Sequence, residues 1–199
     1  MAPAVPAQIQ GIQTPSRYWV VPAVRAVIAL VTAVVVTFTQ GAHTPVFGLI
    51  VFGAFAIADG LATAVLTLLV GPRSLTRTLF VIQGAIGVIA GVLALALAGS
   101  GLGLFLYLVT VWGALTGFLE LYSGLRDRGR DAAARDWLVT GALTAVLALV
   151  LLLVPADALL AVGLFGAWAV IVGVFQGIGA VSLRSAGRSP EAVGRTEAS

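Results

Sequence analysis

Five polar side chains lie inside otherwise apolar stretches and are the residues best placed to do chemistry: Arg25, Asp59, Gln83, Glu120 and Gln176. A charged group at the centre of an apolar span costs roughly 2.5–3.5 kcal/mol on insertion scales, so such groups normally face a protein interior and are paired. Two kinds of work suit them. A desolvated carboxylate, Asp59 or Glu120, can carry protons as part of a proton or ion relay. The same groups can instead bond across helices and fix register, at about 0.6 kcal/mol for each interhelical hydrogen bond. A relay should continue to the far side of the membrane, where the chain offers only Thr32, Thr37, Thr39, Thr110 and the loop residue His43. The structural reading is preferred.

Other chemistries lack residues to carry them. The chain has no cysteine, which excludes disulfides, thiolate nucleophiles and cysteine metal sites. His43 is the only histidine, in a loop with no carboxylate near it in sequence, which is a poor basis for a metal site. No serine–histidine or paired-carboxylate arrangement occurs in the apolar stretches. The glycines do not form a phosphate loop, which needs a strand-to-helix turn and usually a lysine, and the chain contains no lysine. No catalytic residue, metal or cofactor is expected.

The elements that hold the five polar residues follow from composition. The chain has 199 residues, 60% of them hydrophobic and 10% charged, with a mean hydropathy of +1.09. Crossing a membrane takes about 20 mostly apolar residues, and six stretches qualify: Tyr18–Thr39, Val46–Val70, Thr78–Ala98, Leu102–Leu125, Asp136–Val154 and Ala158–Leu183. In lipid each backbone polar group must be satisfied internally, so these stretches are expected to be helices. The first could be mistaken for a signal peptide. It lacks a preceding basic run and belongs to the repeat described next, so it is expected to be retained.

The stretches pair into three copies of one hairpin. The second helix of each copy carries an aromatic residue, a glycine five residues on and a polar residue three later: Phe55–Gly60–Thr63, Trp112–Gly117–Glu120 and Trp168–Gly173–Gln176. The glycines are 57 and 56 residues apart (117 − 60 and 173 − 117). The first helices superpose at Arg25, Gly84 and Gly141. A fixed period of this size marks one supersecondary unit used repeatedly. The expected architecture is an all-α integral membrane protein of six transmembrane helices. They form three parallel hairpin repeats (about 17–73, 77–130 and 135–184) in a pseudo-threefold bundle spanning 17–184, with flexible tails at 1–16 and 185–199. Short outer connections make the two helices of each hairpin antiparallel neighbours.

Small residues allow close helix contact where no hydrophobic force draws helices together. Gly60, Gly87, Gly91, Gly113, Gly117, Gly173 and Gly177 are the expected packing positions. Trp19 and Trp137 begin their helices and read as interfacial anchors. Trp112 and Trp168, near mid-helix, read as packing residues against glycine faces, with a lipophilic pocket as the alternative.

Arginine sets the expected orientation. Arg17, Arg73, Arg77, Arg126, Arg128, Arg130, Arg135, Arg184, Arg188 and Arg195 lie on one side of a six-span chain. The opposite connections Gln40–Pro45, Gly99–Gly101 and Pro155–Asp157 have none. By the positive-inside rule both termini are cytoplasmic. The basic balance then reflects topology and contact with anionic lipid rather than nucleic-acid binding. The linker Arg126–Asp136 interleaves arginines with aspartates and reads as solvated and locally salt-bridged. All five intramembrane polar residues fall in the cytoplasmic half, as one layer. Arg25 and Asp59 are offset by roughly 6 Å along the membrane normal, at about 1.5 Å per residue.

Three features together resemble the HdeD-like family of small bacterial inner-membrane proteins, built from a short repeated two-helix domain. They are Arg25–Leu30, the Gly-Ala-Phe-Ala-Ile-Ala-Asp-Gly run Gly53–Gly60, and the Gly-x-x-Glu and Gly-x-x-Gln endings at Glu120 and Gln176. The resemblance covers about Arg17–Arg184. It implies a bacterial plasma-membrane protein with an acid-resistance or other stress role and no defined reaction. The copies differ where Asp59-Gly60 becomes Thr116-Gly117 and Val172-Gly173, and the middle copy lacks the turn proline.

The leading expectation is a non-enzymatic membrane component, structural or stress-protective, touching lipid and a second copy or another membrane protein. The alternatives are a small proton or ion channel or transporter, and a lipophilic-ligand binder.

Overall fold

The computed structural model describes residues 17–71, 75–131 and 133–186. The tail 1–16, residues 187–199 of the other tail, and Arg73, Arg188 and Arg195 lie outside the described residues. Six helices make up the fold: α1 (Val20–Phe38), α2 (Pro45–Val70), α3 (Leu75–Ala96), α4 (Leu102–Arg126), α5 (Ala134–Leu153) and α6 (Ala158–Ala186). Their bounds fall within three residues of the expected stretches. Each is long and apolar enough to cross a membrane, which makes this a multi-pass membrane protein.

Local chemistry sets the turns within the repeats. Thr44 Oγ1 accepts from the Phe47 amide at 3.2 Å with Pro45 at the first helical position, so α2 starts there. Asp157 Oδ1 accepts from the Leu160 amide at 2.8 Å and caps α6. The middle turn uses another device. Gly101, ahead of α4, has φ +88°, a conformation that favours glycine and stands in for the missing proline. At the opposite end, Arg77 Nη2 donates to the Leu68 carbonyl at 2.6 Å, near the end of α2. We call the two ends of the bundle the turn end and the arginine end.

The closest helix pairs are α2 with α3, α4 with α5, and α6 with α1. The two helices within each repeat touch more loosely. The tight seams therefore join neighbouring repeats, and the third seam closes the ring. Glycine explains the first two. A Cβ on Gly60 would lie 2.6 Å from the Gly84 carbonyl oxygen, and one on Gly84 2.5 Å from that of Gly60. Gly91 and Gly53 oppose one another in the same seam, and a Cβ on Gly87 would lie 3.0 Å from the Ala56 carbonyl oxygen. Between α4 and α5 a Cβ on Gly117 would lie 2.9 Å from the Gly141 carbonyl oxygen and one on Gly141 2.9 Å from that of Gly117, while one on Gly113 would lie 3.3 Å from Ala148. In the third seam Gly173 and Gly166 receive the side chains of Leu30 and Val36, and a Cβ on Gly177 would meet only Ala26, at 3.9 Å. Between α1 and α2, inside one repeat, a groove of about 380 Å³ is left, lined by Val27, Val31, Ile50 and Phe55 among others.

α2, α4 and α6 line the axis. Phe55, Trp112 and Trp168, the three equivalent aromatics, form a closed triangle with centroids 5.4–5.7 Å apart and every pair edge-to-face. That is the geometry aromatic quadrupoles prefer. The two tryptophans thus pack on aromatic partners rather than on glycine faces. One turn closer to the turn end, Phe52 and Phe165 meet at 5.8 Å, with buried Val109 as the third equivalent. The axis is solid apolar side chain at these two levels.

An ionic cluster as the candidate functional site

Arg25 occupies the repeat position that is Gly84 in α3 and Gly141 in α5. There the glycines let backbones touch; in α1 a long side chain crosses the interior instead. Its Nε donates to Asp59 Oδ1 at 2.9 Å, and Nη2 approaches Oδ2 at 3.4 Å. Nη1 donates to Glu120 Oε1 at 2.8 Å, and the same oxygen accepts from Gln83 Nε2 at 2.8 Å. One guanidinium fork thereby ties α1 to α2 and α4, and Gln83 adds α3. Charge-assisted bonds of this kind are short and roughly twice as strong as neutral ones. The cluster is well buried: the Arg25 side chain is 13% exposed and that of Glu120 2%. With every group ionised it carries two negative charges against one positive.

Of the five expected polar residues, the structure brings Arg25, Asp59, Gln83 and Glu120 into one network. Gln176 stands apart. With Thr63 it occupies the position equivalent to Glu120, and the two line a vestibule of about 30 Å³ at the arginine end. Tyr18, Arg25, Asp136, Trp137 and Thr140 line it as well. At about 1.5 Å per residue, Tyr18 to Arg25 spans roughly 10 Å. Thr63 Oγ1, Gln83 Oε1, Ser123 Oγ and Gln176 Oε1 are buried with no partner among the described residues. Beyond the cluster, toward the turn end, the aromatic triangle blocks the axis.

Several expectations need correction. Trp137 is not an interfacial anchor: it is buried, donates Nε1–H to Tyr18 Oη at 3.1 Å, and packs edge-on against Phe80 at 5.0 Å. Trp19 is half-buried, with the Arg184 guanidinium 4.9 Å from its ring centroid. His43 is half-buried as well, with Nε2 2.9 Å from the Val36 carbonyl and its ring stacked on Phe47. The Arg126–Asp136 linker is not salt-bridged: among the described residues only Arg25 makes ion pairs. Its aspartates bond otherwise, Asp127 accepting from Thr76 and Asp131 from the Ala133 amide. Burial raises the Asp131 carboxyl above its ordinary range, against the lowering effect of the Ala133 amide. The Tyr18–Trp137–Phe80 group had no signal in the spacing, because Tyr18 and Trp137 are 119 residues apart.

Among the described residues no group of three or more histidine, cysteine, aspartate or glutamate side chains is placed to hold a metal ion. No curated protein and no solved structure matches the chain. A family described as a short repeat of unknown function, DUF308, matches residues 82–153 and again 139–194. The two matches begin 57 residues apart (139 − 82), the period of the glycine pattern, and together cover more than half of the chain. The three-seamed bundle with its single arginine cluster belongs to the DUF308 family of repeat proteins.

Proposed function

We infer that the protein is a non-enzymatic component of a bacterial plasma membrane, structural or stress-protective, in the manner the HdeD-like resemblance implies. A second copy or another membrane protein is its expected partner. One observation carries this reading: the polar interior stops at the Phe55–Trp112–Trp168 triangle, so the axis offers no continuous hydrophilic path. A transporter would need polar groups on both sides of that block. Proteoliposomes loaded with a pH-sensitive dye should show the same proton leak as protein-free vesicles at several pH values and potentials. Robust protein-dependent flux would overturn the reading, and stoichiometric co-purification of a second membrane protein from mild detergent would favour the partner role. The lipophilic-ligand reading has the α1–α2 groove in its favour, which acyl chains of the bilayer suffice to fill.

The arginine end is placed in the cytoplasm, with both termini inside, on the positive-inside rule. Cysteine introduced at His43 or Asp157, both at the turn end, should react with an impermeant maleimide added to intact cells. Cysteine at Arg130 should react only after the membrane is opened. The reverse pattern would invert the orientation.

A further inference from the structure

The repeat places three polar residues at equivalent positions, Thr63 on α2, Glu120 on α4 and Gln176 on α6, with one arginine to serve them. Glu120 takes the fork. Thr63 and Gln176, 1% and 5% exposed, keep side-chain oxygens Oγ1 and Oε1 that no described residue bonds. Both line the vestibule, and so does Arg25. Arg25 commits Nε–H and one N–H on each of Nη1 and Nη2 to the carboxylates, and each Nη carries a second N–H. Buried polar groups in folded proteins are nearly always satisfied, by protein or by ordered water. Here the guanidinium can only donate and Gln176 Oε1 can only accept. A cation cannot accept from a guanidinium, and an anion cannot donate to an amide oxygen. The occupant must do both, as a neutral molecule with an O–H and a lone pair does. Size narrows the choice. About 30 Å³ gives room for roughly two water molecules, and a bulkier alcohol or amide has the chemistry without the space.

We propose that the vestibule is a water site, holding roughly two ordered water molecules that accept from Arg25 and donate to Gln176 Oε1, with Thr63 Oγ1 as a further partner. Water bridges of this kind are nearly as favourable in enthalpy as direct hydrogen bonds. The direct network joins α1 to α2, α3 and α4. The water carries it to α6, and so adds a polar tie across the α1–α6 seam. Asp59 and Glu120 do not line the vestibule and keep their direct bonds. The water site stands whether or not the membrane-component role above is right, since it rests on the unpartnered atoms and the space between them.

Hydroxyl radicals generated by an X-ray pulse oxidise side chains beside water, bound water included, and mass spectrometry of the full chain in detergent reads the rates. Trp137 lines the vestibule and is 6% exposed; Trp112 and Trp168, in the aromatic triangle, are 4% and 7% exposed. Equal burial and equal side-chain chemistry make the triangle the control. Trp137 should be oxidised several-fold faster than either. Thr63→Val combined with Gln176→Met removes both oxygens and keeps side chains of similar size. It should bring Trp137 down to the rate of the triangle tryptophans and lower the melting temperature, because the bridges to Arg25 are lost. In a dry site the same change would remove two unsatisfied buried groups and raise the melting temperature. Wild-type Trp137 oxidised no faster than Trp112 and Trp168 would overturn the proposal, and that comparison needs no variant. Fast oxidation that the double substitution leaves unchanged would overturn it too, since the water then lies elsewhere, as would a raised melting temperature.

Discussion

Arg25→Met is expected to destabilise the protein by about 3–5 kcal/mol, the usual effect of removing one partner from a buried ionic network. The substitution keeps an apolar stem of similar length but strands Asp59 and Glu120 facing one another without a base. Thermal unfolding in mild detergent, followed by tryptophan fluorescence, should show it as the largest loss among single changes in the cluster. Asp59→Asn should cost much less, about 1–2 kcal/mol, because it leaves the 2.8 Å Arg25–Glu120 bond as a neutral pair. Adding Glu120→Gln to Arg25→Met should recover part of the loss. Arg25→Lys should not rescue, since a point charge cannot reproduce a fork reaching two carboxylates on different helices. If the losses of Arg25→Met and Glu120→Gln simply add, the two residues are not coupled and the network is geometric coincidence.

Gly60→Ala should also destabilise clearly, by about 1–3 kcal/mol, the range for overfilling a packed interior. The new methyl would sit 2.6 Å from a backbone oxygen of α3 and 2.9 Å from the Val88 amide, so no side chain can rotate away to admit it. The helices must separate along the whole seam, which loosens Gly53 against Gly91 as well. Alanine's better helix propensity returns up to about 1 kcal/mol, and the packing loss exceeds that. Gly163→Ala is the control: a Cβ there meets nothing within 4 Å, so stability should hold or rise slightly. Equal melting temperatures for Gly60→Ala and wild type would mean that the α2–α3 seam is not held by close backbone contact.

How much of this could be read beforehand divides along physical lines. Length and hydropathy locate each helix to within a few residues, because crossing lipid imposes both. The depth of Arg25 and Asp59 puts them within reach, and the structure bonds them. Hydropathy does not say which helix faces which. Lipid and protein interior are both apolar, so a span carries no polar stripe to mark its outer face. The sequence neighbours α1 and α2 therefore look like partners, whereas glycine at Gly60 and Gly84 makes the tight seam run through the next repeat. Gln176 shows the same limit. Its repeat position equals that of Glu120, yet Arg25 comes from one helix only, and a single fork cannot serve three equivalent sites. Trp137 looks like an interfacial anchor until Tyr18, far away in sequence, covers it.

The closure of α6 on α1 has a consequence for how the chain is made. Two seams join helices that leave the ribosome one after the other, so each can close as soon as its second member enters the membrane. The third joins α1 to α6, the first and the last made of these six. Until α6 is made, Leu30 and Val36 on α1 have no Gly173 or Gly166 to receive them. Arg25 meets Asp59 once α2 is inserted, but Glu120 only with α4. α1 thus waits longest among the six for its closest neighbour, and for that interval its open flank is the place where an insertion factor or a passing helix can bind the nascent protein.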